Sequence, residues 1–164
     1  MQPPRSPALI KFAEIHQPHS SIVADALNLP HRPRSFDFAI CIAVIHHLST
    51  PSRRVEAVRS ILELLNPGSC GEIPGRLLLF VWALEQKSSR RGWDVGDEQD
   101  VMVPWVLKDN TKGTAGHGQD SEYHRYYHLY REGELESDTV AAGGTILESG
   151  YERDNWWAIC VPTS

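Results

Sequence analysis

The sequence predicts an α/β fold in which a parallel βαβ unit is followed by a closing antiparallel hairpin. An almost unbroken apolar run at 36–48 has the pattern of a strand that is covered on both faces. A helical pattern at 51–65 and a second apolar run at 77–84 follow it, and together these segments make one βαβ crossover. Two β-prone segments at 145–149 and 156–161 flank a turn-rich stretch, which predicts the hairpin.

Length and composition indicate one globular domain. The 164 residues suffice for a single core, and 41% hydrophobic with 23% charged residues is typical of a globular protein. The net charge of −5 argues against a uniformly basic nucleic-acid-binding face, although local arginine clusters could bind phosphate. Three cysteines without paired spacing favour a reducing compartment, so we expect the cytoplasm, with the nucleus as an alternative. No apolar stretch reaches membrane-spanning length, and no membrane contact is expected.

Local signals fix the expected limits of several elements. Residues 8–16 predict a short helix, and residues 20–24 predict a short β-prone segment that leads into Asp25. The helix at 51–65 is expected to begin with a threonine hydroxyl as N-cap and a proline in its first turn. The arginine pairs at 53–54 and 90–91 are expected on solvated faces rather than against a ligand.

The composition becomes polar from residue 85 to about residue 122. This change predicts a long polar insertion or lid at 87–122. Within it only 101–106 is apolar, and we expect that piece to dock on the domain while 108–119 stays mobile. A short helix at 132–142 is expected to end at the following glycine pair.

Two histidines directly follow the first predicted strand. Open α/β sheets bind ligands in the crevice beyond the carboxyl ends of their strands, so His46 and His47 are expected at a functional site. The alternative for His46 is a buried imidazole that is bonded to nearby backbone. Cys41 lies inside the strand, where a cysteine is usually a small apolar core residue.

A second candidate site is the aromatic and basic run at 123–130. Arginine binds phosphate or carboxylate in a forked geometry, and tyrosines offer stacking faces for an unpaired base. The predicted substrate-binding residues are Arg125, Tyr126, Tyr127 and His128, with Trp105 as a lid residue over the site. Alternatively, Tyr126, Leu129 and Tyr130 at helical spacing are a core stripe, and Trp105 is tucked onto the core. His117, His124 and His128 lack a carboxylate or cysteine that would complete a ligand set, so no metal site is expected.

Five pieces of the chain together resemble one enzyme family, in that family's order. They are Ile-Val-Ala-Asp-Ala at 22–26, Ala-Val-Ile-His-His-Leu-Ser-Thr-Pro at 43–51, Val-Trp-Ala-Leu-Glu-Gln at 81–86, Arg-Tyr-Tyr-His-Leu-Tyr-Arg-Glu-Gly-Glu-Leu at 125–135, and Gly-Tyr-Glu-Arg-Asp-Asn-Trp-Trp at 150–157. On these residues the chain resembles the carboxyl-terminal two-thirds of a class I S-adenosylmethionine-dependent methyltransferase. More narrowly, it is similar to the eukaryotic tRNA wobble-uridine carboxymethyl methyltransferases.

The resemblance implies a truncated Rossmann-like class I methyltransferase sheet with a terminal antiparallel hairpin. It implies one partial methyltransferase domain over 1–164, with 8–161 matched, and S-adenosyl-L-methionine as cofactor. By the same resemblance Asp25 would bond the adenine amino group. The alternative for Asp25 is a helix or turn cap after the β-prone segment. The implied cofactor-binding residues are Asp25, Ala26, Cys41, Ile42, Ala43 and His46, and the implied catalytic residue is His47.

The family's reaction methylates a carboxymethyl oxygen on a wobble uridine of tRNA. Because a carboxylate is ionised at neutral pH, no general base is required, and His47 would orient or hydrogen-bond the reactants. The implied partners are the tRNA anticodon loop and a small zinc-binding activator subunit. The alternatives are a non-catalytic remnant that binds RNA or a protein, and a methyltransferase of small molecules.

One departure from the family concerns the amino-terminal side. The family begins with a strand and a glycine-rich turn whose N–H groups hold the cofactor's carboxylate, and no such motif precedes Asp25. We therefore expect a piece of a longer protein. Loss of the neighbouring strand should leave the first apolar strand with an unpaired edge.

Overall fold

A computed structural model describes residues 11, 15, 21–68, 73–86, 89, 91–107 and 121–163. Over this part of the chain the elements are β1 (Phe38–Ile42), a 3-10 helix (Ile45–His47), α1 (Pro51–Leu62), β2 (Arg76–Trp82), β3 (Asp100–Leu107), β4 (Ser121–His128), α2 (Glu134–Ala141), β5 (Gly144–Glu152) and β6 (Asn155–Pro162). The helix predicted at 8–16 lies outside the described residues, apart from Lys11 and Ile15, which are helical.

The first sheet has the strand order β1-β2-β6-β5. β1 and β2 are parallel and are joined through α1, whereas β6 is antiparallel to both β2 and β5. The predicted α/β fold, its βαβ unit and its closing hairpin are therefore confirmed. α1 also begins as expected, because the Thr50 hydroxyl accepts a hydrogen bond from the Arg53 N–H at 3.4 Å and Pro51 is the first helical residue.

β1 lies at an edge of this sheet, and only one of its faces is buried. Successive side chains of a strand point to opposite faces, and Cys41 points into the core. On the other face Phe38, Ile40 and Ile42 are 54%, 58% and 53% exposed. The prediction of a strand covered on both faces is wrong for β1. The predicted unpaired edge is confirmed, since β1 pairs with β2 alone among the described residues.

The β-prone segment before Asp25 does not form a strand over its described part. Residues 21–24 carry no strand pairing, and Ile22 and Val23 are exposed. Asp25 instead opens a turn in which the Asn28 N–H donates to the Asp25 carbonyl oxygen at 3.0 Å. β propensity alone does not make a strand where no neighbouring strand supplies hydrogen bonds.

A second, two-stranded sheet pairs β3 with β4 over eight antiparallel positions. The apolar piece at 101–106 is therefore part of a hairpin that it forms with 121–128. The alternative of a core stripe at helical spacing through Tyr126, Leu129 and Tyr130 is wrong in its helical geometry, because this stretch is a strand that ends at His128. Leu129 and Tyr130 are nevertheless buried in the core. The stretch expected to be mobile, 108–119, lies outside the described residues.

The core lies between the first sheet and the helices α1 and α2. β2 contributes Leu77, Leu79 and Val81, and α1 contributes Ala57, Val58 and Leu62, all buried. Arg54 of α1 is also buried, at 3% exposure, so its expected position on a solvated face is wrong. Its guanidinium lies 3.4 Å from carboxylate oxygens of both Glu134 and Asp138 on α2, which compensates the buried charge.

Candidate functional site

The loop after β1 turns sharply at the carboxyl edge of the sheet. Ala43 has a φ of 56°, a left-handed conformation that is uncommon for a residue with a side chain. Its N–H donates to the Phe80 carbonyl oxygen at 2.9 Å, which holds the loop against β2. Such strained backbone is concentrated at ligand-binding sites, which agrees with the cofactor role predicted for Ala43.

The two strand residues predicted to bind cofactor face opposite ways. Burial raises the pKa of the Cys41 thiol to about 11, so it stays protonated in the core as a small apolar group. Ile42 is exposed. The structure therefore offers the Ile42 side chain, and not that of Cys41, to a ligand on the open face of β1.

His46 is fully buried and bonded to backbone, as its alternative interpretation predicts. Its Nδ1 accepts a hydrogen bond from the Trp82 N–H at 3.1 Å. Burial, with repulsion from His47 and His128, lowers its pKa to about 3, so the ring is neutral and carries its proton on Nε2. That Nε2 has no hydrogen-bond partner in the part of the chain that is described. His46 therefore anchors β2 to the 3-10 helix.

His47 is only partly buried and is fixed in one tautomer. Its Nδ1 lies 2.9 Å from the Tyr126 carbonyl oxygen. Since a carbonyl can only accept, Nδ1 carries the proton and Nε2 keeps a lone pair. Burial lowers the pKa of His47, with a smaller opposing effect of that hydrogen bond. Near neutral pH His47 thus presents a hydrogen-bond acceptor.

A stack of rings connects His47 to the end of β2. The Tyr127 ring centre lies 4.4 Å from that of His47 and 4.2 Å from that of Trp82, to which it is nearly parallel at 10°. Sequence reasoning did not select Trp82. The available signal was its place as the last residue of the strand next to β1, where side chains reach the same edge of the sheet.

Tyr126 and His128 point away from this stack, because alternation along β4 separates them from Tyr127. The Tyr126 hydroxyl donates to Asp100 at 2.5 Å. The ring nitrogens of His128 lie 2.8 Å from Asp100 and 2.7 Å from Glu134. Burial would raise the Asp100 pKa, but the hydrogen bonds from Tyr126 and His128 hold it below its usual value. The substrate role of His128 stays a prediction, and the geometry leaves neither of its ring nitrogens free.

Arg125 and Trp105 form an exposed pair on the β3–β4 hairpin. The Arg125 guanidinium carbon lies 4.1 Å from the Trp105 ring centre, and Trp105 is 44% exposed. Register and alternation place both side chains on the same face of the hairpin as Tyr127. Trp105 is therefore not tucked onto the core. Arg125, Trp105 and Tyr127 lie on one face of the hairpin, and the buried Tyr127 ring connects the exposed pair to His47.

Asp25 and Ala26 lie in the turn that precedes β1. The Leu27 N–H donates to the Asp25 carboxylate at 3.1 Å, so the alternative of a turn cap is confirmed. Ala26 packs against the core. The adenine contact of Asp25 stays a prediction.

The described residues fit part of an S-adenosylmethionine molecule. The carboxylate of Asp25 suits an adenine amino group, and the strained turn at Ala43 lies where the methionine end is expected. A glycine-rich cradle for the cofactor's carboxylate is absent from the sequence before Asp25. Over the same described ranges, no group of histidine, cysteine and acidic side chains is arranged to hold a metal ion, and no helix has the length and apolar character to cross a membrane.

Comparisons with known proteins agree with this geometry. The methyltransferase domain family model matches residues 5–70. The chain is 48% identical over 160 residues to the tRNA (carboxymethyluridine(34)-5-O)-methyltransferase of Schizosaccharomyces pombe, covering 92% of this chain and 67% of that protein. It is 40% identical over 209 residues to the Saccharomyces cerevisiae protein of the same name, covering 94% and 73%.

Solved structures give the same fold at low sequence identity. A SAM-dependent methyltransferase from Methanosarcina mazei superposes with a TM-score of 0.65 at 16% identity, covering 97% of this chain and 79% of that one. An S-adenosylmethionine-dependent methyltransferase from Clostridium acetobutylicum gives 0.66 at 13% identity, covering 96% and 70%. The chain therefore has the class I methyltransferase fold and belongs to the tRNA (carboxymethyluridine(34)-5-O)-methyltransferase family.

Proposed function

We propose that this chain acts in S-adenosyl-L-methionine-dependent methylation of the carboxymethyl group on uridine 34 of tRNA. The observation that carries the proposal is the 48% identity to a protein named for that activity over nearly the whole chain. The partly buried acceptor at His47, at the carboxyl edge of the sheet, supports it.

The substrate group sets what the protein must do. A carboxylate is already ionised near neutral pH, so the site needs alignment and exclusion of water rather than a base. S-adenosyl-L-methionine, when bound, supplies the methyl group from a sulfonium. His47 orients the nucleotide through Nε2, which can accept a hydrogen bond from a donor such as the uracil N–H. It cannot bond the carboxylate itself, because both are acceptors.

The anionic and aromatic parts of the substrate suit the hairpin surface. Arg125 makes no ion pair with any described residue, and it stacks on Trp105. A guanidinium held in this way can bind the carboxymethyl group or a phosphate of the anticodon loop in forked geometry, while Trp105 offers a stacking face. His128 braces the hairpin against α2 through Glu134, and its contact with substrate stays a prediction.

Two finer features of the proposal rest on the resemblance. A small zinc-binding activator subunit is the proposed protein partner, and the exposed apolar face of β1 is supporting evidence that something covers it. The proposed location is the cytoplasm, since free buried thiols at Cys41 and Cys160 suit a reducing compartment.

A non-catalytic RNA-binding remnant is the second candidate, and the exposed Arg125–Trp105 pair is the observation that favours it. Calorimetric titration with S-adenosylhomocysteine separates the two, because only the enzyme binds it. Methyl transfer is then measured with labelled S-adenosyl-L-methionine and carboxymethylated tRNA. We expect His47→Ala to lower kcat/KM about 10- to 100-fold, with the exposed His31→Ala as matched control. If the chain neither binds S-adenosylhomocysteine nor transfers methyl groups, the proposal of an enzyme is wrong and the RNA-binding remnant is the remaining candidate.

A further inference from the structure

A second concave site lies on the other side of the ring stack. It is a cleft of about 270 Å³ between the end of β2 and the turn that joins β5 to β6. Its lining residues are Trp82, Gln86, Ser89, Arg91, Arg153, Asp154 and Asn155. The cleft shares Trp82 with the stack that reaches His47 through Tyr127. It therefore adjoins the candidate site and is distinct from the loop after β1.

Arg91 extends the stack into this cleft. Its guanidinium carbon lies 4.6 Å from the Trp82 ring centre and 5.3 Å from that of Trp93. Because Tyr127 already packs on Trp82 at 4.2 Å, the arginine occupies the remaining face of that ring. The Arg91 guanidinium makes no hydrogen bond or ion pair with a described residue, so it is oriented by aromatic rings while its N–H donors stay available.

Arg153 supplies a second cation from the opposite wall. It and Asp154 have φ values of 46° and 66°, the sign pattern of a type I′ hairpin turn. Glycine or asparagine would adopt the conformation at Arg153 at lower cost, and strain of this kind is concentrated at binding sites. The turn is fixed by the Ala83 N–H, which donates to the Asp154 carbonyl oxygen at 2.9 Å.

The acidic residue of the cleft is already engaged. The Tyr151 hydroxyl lies 3.1 Å from the Asp154 carboxylate, whereas no described carboxylate pairs with Arg91 or Arg153. The cleft therefore carries two guanidinium groups against one carboxylate, a net positive charge beside an aromatic wall. Its volume suits a single base or phosphate group better than a large ligand.

We propose that this cleft binds a nucleotide of unpaired RNA next to the uridine that is held at His47. The phosphate lies between Arg91 and Arg153, and the base stacks on the Arg91 guanidinium, on the face turned away from Trp82. Forked N–H donors bind phosphate oxygens, and ring and guanidinium planes stack on unpaired bases, which favours RNA over an acidic peptide. This inference rests on the proposed function and names a second contact of the same substrate.

The test measures RNA binding alone, without cofactor or carboxymethyl group. A short fluorescently labelled single-stranded RNA is titrated into the wild-type chain and into Arg91→Met, Arg153→Met and Arg76→Met, and anisotropy is followed at several salt concentrations. Arg76 is the matched control, because it is an exposed arginine at the opposite end of β2. Circular dichroism checks that each variant is folded.

We expect Arg91→Met and Arg153→Met each to weaken binding about tenfold and to reduce the slope of log K against log salt by about 0.7, the value for one phosphate of a single strand. Arg76→Met should change neither quantity. Arg91→Lys keeps the charge and loses the planar stack, so it should retain the salt slope and bind less tightly than the wild type. If Arg91→Met does not fold, Arg91→Lys and Arg153→Met decide the matter.

Several results would overturn the inference. The inference is overturned if the wild-type chain binds no RNA. It is also overturned if the affinity and the salt slope of the cleft variants equal those of Arg76→Met. Competition by inorganic phosphate or by an acidic peptide at the same concentration as the RNA would indicate a general anion site instead. Because neither methyl transfer nor cofactor enters the measurement, cleft variants that behave like Arg76→Met overturn the cleft alone and leave the proposed activity standing. Loss of activity alone likewise leaves the cleft result standing.

Discussion

Replacing Arg54 by methionine tests whether the ion pairs between α1 and α2 hold the domain together. Arg54 is buried and contacts Glu134 and Asp138, each at 3.4 Å. Methionine fills a similar volume but leaves both carboxylates without this cation. Glu134 keeps strong donors in Gln99 at 2.6 Å and His128 at 2.7 Å, so Asp138 bears most of the loss.

The expected cost follows from this asymmetry. Breaking a buried pair by removing one partner typically costs about 3 to 5 kcal/mol. The long contacts and the donors that Glu134 retains place Arg54→Met at the lower end, about 3 kcal/mol at neutral pH. For a chain of this size that loss corresponds to a fall in Tm of roughly 6 to 12 °C.

The loss should depend on pH in a definite direction. Burial raises the pKa of Asp138, and Arg54 opposes that rise. Without Arg54 the folded-state pKa of Asp138 rises further above its unfolded value. The penalty is then complete above the folded-state pKa and declines as the pH falls through it, because the folded state takes up a proton. Arg54→Met should therefore lose less stability at about pH 5 than at about pH 7.

Urea unfolding followed by tryptophan fluorescence measures these differences. The partly exposed neighbour Arg53, which has no ion pair with a described residue, gives the control Arg53→Met, expected to change stability by under about 0.5 kcal/mol. The double variant Arg54→Met/Asp138→Asn should recover part of the loss and its pH dependence. A loss at neutral pH no larger than that of Arg53→Met would refute the reasoning.

Three further predictions concern other parts of the fold. The pKa of His46 is lowered to about 3 from 6.5, so between these pH values the unfolded state binds more protons than the folded state. The free energy of unfolding should therefore fall as the pH drops from 6.5 to about 3, by up to about 1.4 kcal/mol per pH unit. His46→Gln should reduce this pH dependence, and an unchanged dependence would contradict the role given to His46. Gly75→Ala should destabilise by about 1 to 3 kcal/mol in urea, because its Cβ would lie 2.7 Å from the Phe36 carbonyl oxygen; unchanged stability would show that the backbone there can shift. Ile40→Thr should lower the free energy of unfolding by under about 0.5 kcal/mol, because Ile40 is exposed. Leu79→Ala should lower it by about 2 to 5 kcal/mol, because Leu79 is buried. Equal losses would mean that the outer face of β1 is covered.

Elements whose signals are local could be predicted from the amino-acid pattern. The Thr50 cap, Pro51 and the apolar spacing of α1 lie within a few turns of chain, and the terminal hairpin has both strands flanking one short turn. Such patterns need no distant partner, so they predicted the βαβ unit and the hairpin. The position of His47 directly after an apolar strand likewise predicted its place at the carboxyl edge of the sheet.

Features that depend on residues far apart in the chain could not be predicted in this way, because they are set by packing. Arg54 is buried because α2, about 80 residues later, supplies its carboxylates. Strand β3 exists because β4 pairs with it, which the polar composition between them hid. Alternation along β4 then sends Tyr127 to the ring stack and His128 to Glu134. Charge and aromatic character were visible in the sequence, whereas the partner that gives each side chain its role was fixed by packing.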